Sequence, residues 1–340
     1  MKQLFLLVFC LVTFRLFSQV DLSTIEQPFV LEATQIHIPG YPDAFNPSIV
    51  RWKNRLLLSF RSRNLETNRA DLIGLTWLDK DFKVVGRPQL IEMAKFGLKS
   101  SYIQDPRLIT IRDQLYMPYS DLVEDPDSEE RKRKMCIAKV DFDGARFIIT
   151  EIDTFHEFEG DTTNKFEKNW APFSYQNLLL FSYTLAPHKV FLPLIGESRC
   201  ATIADNQNFS QWSWGTLRGG TPALKIENHY LAFFHSSISL KSVQSNQQTM
   251  THYFMGAYLF QDQPPFAIEK ISPMPIISPD FYKGPNHKTW KPLRVIFPCG
   301  FIYDENFIWV SYGRQDHEAW LIKLDRKKLM KSLIPFNSNI

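Results

Sequence analysis

The sequence has few cysteines, and their spacing suits neither a disulfide framework nor a zinc site. Its four cysteines are Cys10, Cys136, Cys200 and Cys299, and no two of them form a CxxC pair. The three that follow the N-terminal segment are widely spaced and odd in number, which excludes a disulfide-stapled fold. We expect buried thiols that pack as small hydrophobic groups, with one bridge left open for an oxidising compartment. Clusters of His and carboxylates at ligand spacing are also absent, so no metal ion is predicted.

The chain also lacks an excess of charge of either sign. It has 39 Lys and Arg residues against 36 Asp and Glu residues, which gives a formal net charge of +3. This balance produces no long-range electrostatic field, so nucleic acid is not an expected partner. A basic run, "RKRK" at 131–134, directly follows an acidic run, "DPDSEE" at 125–130. Opposite charges side by side in this way are typical of a solvated loop.

No segment beyond the N-terminus is apolar enough to span a bilayer. The apolar run at residues 4–14 follows a lysine; it is too short for a transmembrane helix but typical of a secretory signal. Cleavage after Ser18 would remove residues 1–18 as a signal peptide and leave 19–340 as a single domain without a membrane segment. We therefore expect a protein of the secretory pathway, secreted or periplasmic. A retained anchor, or a lipid attached to the first cysteine, stays open.

Helical periodicity is nearly absent, and a recurring hairpin pattern takes its place. Each copy has a proline, apolar residues, a polar turn, an apolar run and an aromatic residue. The turns carry Asn, Asp or Glu, and the flanks are rich in residues that strands prefer. The five copies read "NPSIVRWKNRLLLSFR" at 46–61, "DPRLITIRDQLYMPYS" at 105–120, "APFSYQNLLLFSYT" at 171–184, "TPALKIENHYLAFFHS" at 221–236 and "FPCGFIYDENFIWVSYG" at 297–313.

Five such units, most followed by a further hairpin, predict an all-β fold: a five-bladed β-propeller with a central axial pocket. Each unit would supply about four strands, the first of them nearest to the axis. Residues at equivalent strand starts and ends would then face one another around one pocket, although they are far apart in the chain. In the second copy Asp105 precedes Pro106, which favours extended backbone at the start of a strand.

The repeated segments together resemble glycoside hydrolase family 130. The segments that carry the resemblance are "FNPSI", "QDPRL", "EKNWAPF", "YLAFFHS" and "FPCGFIYDENFIWVSYGRQD", and it runs from about residue 40 to residue 330. Members of that family are five-bladed propellers that phosphorolyse or hydrolyse β-mannosides, and related mannosyltransferase-phosphorylases share the fold. The resemblance implies an enzyme that cleaves or transfers β-mannosides by one inverting displacement. Its partner would be an oligosaccharide or glycan, and it would need no cofactor, with inorganic phosphate left open as a co-substrate.

The resemblance also implies roles for individual residues. Asp105 matches the general acid of the family, which is thought to act through a sugar hydroxyl, and burial would favour the proton that it needs near neutral pH. Asn46 and Asp316 match positions that hold sugar hydroxyls. Lys168 and His235 match two positions of a cationic cradle that binds phosphate and orients it for attack on the anomeric carbon.

Other residues are candidates from their positions in the repeats. Arg61 and Arg63 end the first hairpin and His188 follows the third copy, so we predict that these side chains contact substrate. Arg107 is expected to be structural. The tryptophans Trp170, Trp214 and Trp290 are of the kind on which sugars stack, but they are more typical of core packing.

The chain departs from the phosphorylases of the family at one point. Those enzymes have an arginine shortly before the lysine, whereas residues 150–167 here contain none. Either Arg61 or Arg63 completes the cradle, or water replaces phosphate and a carboxylate base activates it. The candidate bases are Glu157, Glu159, Asp161 and Glu167.

The predicted signal peptide also bears on the reaction. Phosphorolysis benefits a cell only where the sugar phosphate is retained, so export would favour hydrolysis or transfer onto a surface glycan. A non-catalytic glycan-binding propeller and a protein-binding scaffold are the alternative functions. The sequence does not predict the sugar, the linkage or the oligomeric state.

Overall fold

The structure is a computed structural model that describes residues 20–64, 69–91, 102–124, 131–159, 166–207, 212–283 and 293–337. The predicted signal peptide and the candidate base Asp161 lie outside these described residues. Within them, no helix is both long enough and apolar enough to cross a membrane. The regular structure of the described chain is β-strand, apart from short 3-10 turns and one α-helix, α1 (Arg326–Ser332), whose N-terminus is capped by the side chain of Asp325.

The described strands form five sheets, four of them with four strands and one with seven. The strands of the first sheet are β2 (Phe45–Trp52), β3 (Arg55–Asn64), β4 (Arg69–Leu78) and β5 (Val84–Leu90). Those of the second are β6 (Ile109–Ile111), β7 (Gln114–Glu124), β8 (Arg131–Phe142) and β9 (Phe147–Thr154). Those of the third are β10 (Ala171–Tyr175), β11 (Leu178–Leu185), β12 (His188–Leu194) and β13 (Arg199–Asn206).

Of the remaining two sheets, the fourth comes from the C-terminal third of the described chain, and the fifth adds one strand from near its N-terminus. The fourth sheet has β14 (Arg218–Gly219), β15 (Leu224–Ile226), β16 (His229–Leu240), β17 (Met250–Gln261), β18 (Ile268–Ile271), β19 (Leu293–Arg294) and β23 (Ile334–Pro335). The fifth has β1 (Val30–Gln35), β20 (Ile296–Tyr303), β21 (Phe307–Arg314) and β22 (Glu318–Asp325). The expectation of about four strands in each unit therefore fails for the fourth sheet. Its long central strands β16 and β17 extend far enough to pair with short additional segments.

The predicted hairpins are present, and their turns have the expected chemistry. The turn between β2 and β3 places Lys53 and Asn54 at φ of 48° and 57°, and the turn between β10 and β11 places Gln176 and Asn177 at 49° and 64°. Two left-handed residues in succession match the twist of antiparallel strands, and asparagine tolerates this backbone well. The polar turn residues in the repeat therefore identify these hairpins correctly.

The five sheets contact one another in a closed cycle, which gives a propeller-like arrangement. A hydrophobic cluster lies between each sheet and the next, and another lies between the fifth sheet and the first. Strand β1, near the N-terminus, pairs with β22, near the C-terminus, so one sheet is built from both ends of the described chain. Cys136, Cys200 and Cys299 are buried as free thiols, as the sequence predicts.

The basic run at 131–134 is a strand and not the solvated loop that the charge pattern favours. Strand β8 begins at Arg131 and pairs with β7 along its whole length. Because side chains alternate across a strand, the charges of this run point in different directions: Arg131 is exposed, whereas Lys134 is 6% exposed. The run therefore places positive charge inside the molecule as well as on its surface.

Arg107 connects several sheets through its buried guanidinium. Its Nε donates to the carbonyl of Gly220, its Nη1 to the carbonyl of Asp105 at 2.9 Å, and its Nη2 to Oδ1 of Asn169 at 3.2 Å. The same group lies 5.7 Å from the ring centre of Phe297. One side chain thus bridges segments that belong to or precede the second, third and fourth sheets, as expected for a structural residue.

We predict that Arg107→Met lowers the free energy of unfolding by about 3 kcal/mol or more. The substitution keeps the aliphatic volume but leaves several buried oxygen atoms without a donor. Urea denaturation followed by tryptophan fluorescence measures the change. The matched control, Arg51→Met, replaces an exposed arginine on β2 and should change stability by no more than about 0.5 kcal/mol. Equal denaturation midpoints for the two variants would contradict this role for Arg107.

Candidate active site

Asp105 lies at the junction of the first two sheets, where its carboxylate is 7% exposed. Its Oδ1 accepts a hydrogen bond from Nδ2 of Asn46 at 2.9 Å and from Nη1 of Arg61 at 2.8 Å. Asn46 lies on β2 and Arg61 on β3, so the first sheet supplies both partners. Three of the residues that the sequence predicts for the site are therefore in direct contact, and two of them, Arg61 and Asp105, form a buried ion pair.

The backbone of the site is left-handed where the sequence predicts it to be extended. Asp105 has φ of 54° and Asn46 has φ of 47°, although both precede a proline, and β6 begins only at Ile109. Asn169 and Asp316 are also left-handed, at 68° and 54°. Asn and Asp tolerate this region better than most residues, and their contacts within the site outweigh the local preference. Strained backbone at several residues of one site is typical of functional sites.

The charges around Asp105 favour the ionised form of its carboxyl group. Burial raises its pKa, as the sequence analysis expects, but the positive charges of Arg61, Arg107 and Lys168 and the hydrogen bond from Asn46 more than offset burial, so the pKa lies below its ordinary value. Burial alone therefore does not decide the protonation of Asp105.

Two cations of the site, Lys168 and Arg218, have no partner for their charge among the described residues. Lys168, on the segment before β10, and Arg218, on β14, are both exposed, and neither side chain has a hydrogen bond or ion pair with any described residue. Although the residue as a whole is exposed, partial desolvation of its ammonium group lowers the pKa of Lys168. The positive charges of Arg133, Arg218 and Arg61 lower this pKa further, and the negative charge of Asp105 raises it. These positive charges therefore lie close enough to repel one another, and they come from four different sheets or the segments that lead into them.

Sequence reasoning missed three residues of this site: Arg133, Arg218 and Tyr253. Nη1 of Arg133 donates to the carbonyl of Tyr102 at 3.0 Å, and the charge of Arg133 interacts with Asp105. Burial raises the pKa of Tyr253, and the negative charges of nearby carboxylates add to this effect. Arg218 directly precedes Gly219, which the repeat places at a strand start. Considering also the residue before each strand start would have identified Arg218 as a candidate.

His235 belongs to the site but is not a cation. It is 1% exposed, its Nδ1 donates to the carbonyl of Gly219 at 3.0 Å, and its ring centre lies 4.6 Å from that of Phe297. Burial lowers its pKa to about 3, and the positive charges of Arg107 and Arg218 contribute. His235 is therefore a neutral imidazole near neutral pH, so it adds no positive charge to the predicted phosphate cradle.

His188 does not reach the site. It is 1% exposed, its Nε2 shares a hydrogen bond of 2.7 Å with Oγ of Ser182, and its Nδ1 donates to the carbonyl of Phe266 at 2.7 Å. Both ring nitrogens are occupied, so neither is left for a substrate. The prediction that His188 contacts substrate is corrected: it is a hydrogen-bonded core histidine whose pKa burial lowers to about 4.

Arg63 and Asp316 lie together beside the ion pair. Nη2 of Arg63 is 3.5 Å from the carbonyl oxygen of Asp316, and its Nε is 3.8 Å from Oδ2 of Asp43. Burial raises the pKa of Asp316; Arg61 opposes that effect, and the negative charge of Asp105 adds to it. The carboxyl group of Asp316 has no hydrogen-bond partner among the described residues, so it is available to a ligand.

The candidate bases that the structure describes make their contacts with residues in or beside the third sheet. Glu167 is 2% exposed and accepts hydrogen bonds from Nε1 of Trp170 at 2.9 Å and from the hydroxyl of Tyr183 at 3.5 Å. Glu159 accepts from Thr202 at 2.7 Å, and Glu157 forms a backbone bridge with Arg199; Thr202 and Arg199 belong to β13, the outer strand of the third sheet. These contacts place the three described candidates in or beside the third sheet, and none of them has a recorded contact with Asp105 among the described residues. In the described parts of the chain, no three His, Cys, Asp or Glu side chains are grouped so as to hold a metal ion.

A comparison with models of known protein families identifies the family of this chain. The family model described as beta-1,4-mannooligosaccharide phosphorylase matches residues 15–334, which is most of the chain. The chain belongs to glycoside hydrolase family 130. Members of family 130 are glycoside phosphorylases and hydrolases that act on mannosides, so the predicted family and enzyme class are confirmed. No curated protein matches the sequence.

Solved structures show the same fold at low sequence identity. A mannose phosphorylase from Leishmania mexicana in complex with phosphate ion is 13% identical, with a TM-score of 0.57 over 92% of this chain and 94% of that chain. A beta-1,2-mannobiose phosphorylase from Listeria innocua is 15% identical, with a TM-score of 0.55 over 90% and 94%. A structure of glycoside hydrolases in family 130 that target beta-1,2 mannosidic linkages in Candida mannan is 12% identical, with a TM-score of 0.58 over 88% and 91%.

Two of the buried histidines, His188 and His235, predict a loss of stability in mild acid. Both stay neutral in the folded protein, but the unfolded chain binds their protons below about pH 6.5. The unfolded state therefore takes up more protons as the pH falls, and each histidine lowers the free energy of unfolding by about 1.4 kcal/mol per pH unit. This effect extends from about pH 6.5 down to the pKa of about 4 for His188 and about 3 for His235.

Urea denaturation at pH 7.5, 6.5 and 5.5 measures this slope. His188→Gln should remove the contribution of one histidine and make the dependence on pH shallower. The control His37→Gln changes an exposed histidine on the segment after β1 and should leave the slope as it is in the wild type. A wild-type slope in His188→Gln would show that this histidine does not stay neutral in the folded protein.

Proposed function

We propose that this protein is an inverting β-mannoside phosphorylase, with Asp105 as the general acid and inorganic phosphate as the nucleophile. The observation that carries the proposal is the pair of unpartnered cations, Lys168 and Arg218, beside Asp105. An anion bound there would gain two charge-assisted contacts without breaking an existing ion pair. Water as a nucleophile would need a carboxylate base instead. Among the described candidates, Glu159 and Glu167 accept hydrogen bonds from other residues, and Glu157 lies beside the outer strand of the third sheet.

We also infer that the five sheets are the blades of a five-bladed propeller and that the site occupies its central axial pocket. The supporting observation is the origin of the charged groups. Arg61 comes from the first sheet, Asp105 and Arg133 from the second or the segment leading to it, and Arg218 from the fourth. Side chains so distant in the chain influence one another's pKa values, as expected around a common axis.

In the proposed reaction, phosphate binds among Lys168, Arg133 and Arg218. An oxygen of phosphate attacks the anomeric carbon of the mannosyl unit from the face opposite the leaving oxygen, so the bond to that oxygen breaks with inversion. A proton moves from Asp105, through a sugar hydroxyl, to the leaving oxygen. The products are mannose 1-phosphate and a shortened sugar, and Asp105 regains its proton from the attacking phosphate.

Phosphate binding also supplies a reason for Asp105 to carry a proton. In the unliganded pocket the surrounding cations lower its pKa, and Lys168 is one of them. A bound phosphate dianion would offset those positive charges and raise the pKa of the buried carboxyl group. The proposed acid is therefore protonated when the nucleophile is present, and ionised when the pocket is empty.

The remaining predicted residues would bind the sugar. Asn46 and Arg61 already hold Asp105, so they can orient the acid and contact the hydroxyl through which its proton passes. Asp316 has no hydrogen-bond partner among the described residues, and as an acceptor it would bind sugar hydroxyls. Arg63 lies against the backbone of Asp316 and would hold that residue in place.

Hydrolysis is the second candidate reaction, and the N-terminal sequence favours it. A secreted or periplasmic enzyme would release a sugar phosphate outside the cytoplasm, where the cell gains less from it than from free mannose. The cations in the pocket favour phosphorolysis, whereas the predicted signal peptide favours hydrolysis or transfer. The identity of the released sugar separates these reactions directly.

We predict that the wild-type enzyme releases mannose 1-phosphate from β-1,2- or β-1,4-mannobiose only when phosphate is present. Asp105→Asn should lower turnover by about 10²- to 10⁴-fold, because it removes the acid, while sugar affinity is kept. Chromatography of the products with and without phosphate measures both effects. Mannose released at the same rate without phosphate would show hydrolysis, and binding without turnover in the wild type would show a non-catalytic glycan-binding protein.

A matched pair of lysine variants tests the assigned nucleophile site. Lys168→Met should raise the KM for phosphate and leave the KM for mannobiose close to the wild-type value. Lys241→Met replaces an exposed lysine on the segment after β16 and serves as the control. If both variants have the wild-type KM for phosphate, Lys168 does not bind the nucleophile.

A further inference from the structure

Phe166 is an aromatic side chain in an unusual position. It is 66% exposed, the largest value among the exposed large apolar side chains of the described residues. It lies two residues before Lys168, on the segment that leads into β10. Contact with water does not stabilise an apolar ring. The residues around Phe166 therefore indicate what this exposed ring could bind.

The segment around Phe166 has a fixed direction. Glu167 is buried and bonded to Trp170, so its side chain points into the core between the second and third sheets. Its backbone N–H donates to the carbonyl of Arg133 at 3.1 Å, which attaches the segment to β8. Burial alternates along this segment, because Phe166 and Lys168 are exposed on either side of the buried Glu167. Phe166 therefore lies on the same outward side of the segment as Lys168, whose charge interacts with Asp105.

The tryptophans that the sequence singles out do not provide an aromatic surface here. Trp170 is fully buried, and its ring stacks on Phe155 at 6.1 Å between centres. Trp214 packs edge-on against Phe254 at 5.0 Å. Trp290 lies outside the described residues. Phe166 thus presents an open aromatic face on the same side as the assigned phosphate-binding lysine.

The chemistry of a β-mannoside fits such a face. In a β-mannopyranose ring, the hydrogens on C1, C3 and C5 lie on one side and form a small apolar patch, while the hydroxyls remain free to bind polar groups. We propose that Phe166 is the platform on which a pyranose ring of the substrate stacks at the mouth of the site. Phe166 is then a specificity-determining residue, and this role rests on the proposed action on β-mannosides.

Kinetics of Phe166→Ala and Phe166→Tyr test the platform. Phe166→Ala should raise the KM for β-mannobiose or β-mannotriose about three- to tenfold, the range expected for one aromatic stacking contact. The kcat should change little, and Phe166→Tyr should keep the wild-type KM. The KM for phosphate should be unchanged in both variants. Leu178→Ala, which changes a 50% exposed residue at the start of β11, is the control.

An unchanged sugar KM in Phe166→Ala would overturn the proposal. A sugar KM and a phosphate KM that rise together would also overturn it, because that result indicates displacement of Lys168. Binding of the same sugars to Asp105→Asn and to Asp105→Asn with Phe166→Ala, followed by saturation-transfer NMR, gives a readout that needs no turnover. Equal sugar affinities in this pair, or no sugar binding by either protein, would likewise overturn it. Turnover that does not depend on phosphate would show that phosphate is not the nucleophile. The comparison of sugar affinities between the two Asp105→Asn proteins would still test Phe166.

Discussion

The buried ion pair between Asp105 and Arg61 is the interaction on which the rest of the site depends. A carboxylate that is 7% exposed remains charged only if nearby positive charge compensates for the lost water. Arg61 makes the direct contact at 2.8 Å, and Arg107 holds the backbone of the same residue while it bridges to other sheets. The charge of one aspartate is thus linked to the packing of several sheets around it.

The same arrangement shifts the pKa values of two carboxyl groups of the site in opposite directions. Asp105 is in direct contact with a guanidinium, and its pKa is lowered, whereas Asp316 has no such contact and its pKa is raised. Pairs of acids with opposite shifts are common where proton transfer is needed. Lys168 is one of the cations that lower the pKa of Asp105, so in the proposed reaction an anion bound to Lys168 would raise that pKa.

Much of the fold could be predicted from the sequence, because the repeated hairpins depend on local chemistry. Left-handed turn residues such as Asn54 and Asn177 appear where the repeat places them. Tertiary effects could not be predicted in this way. Arg133 looked like part of a solvated loop because a charge pattern alone does not distinguish such a loop from a strand beside a polar pocket. Asp105 precedes a proline, yet its contacts with the first sheet outweigh the local preference for extended backbone.

Position in the repeat was sufficient to predict which side chains meet, but not which of them the core encloses. Asn46, Arg61 and Asp105 meet because equivalent ends of neighbouring hairpins converge. His188 follows a repeat in the same way, but its ring is enclosed by the core, and no sequence pattern separates that outcome from a position in the pocket.

Calorimetry of phosphate binding in buffers with different ionisation enthalpies tests the central claim most directly. If the cations that hold Asp105 ionised also bind phosphate, the wild-type protein will take up a proton with phosphate that Asp105→Asn does not take up. Equal proton uptake by the two proteins, or no phosphate binding to the wild type, would contradict the account.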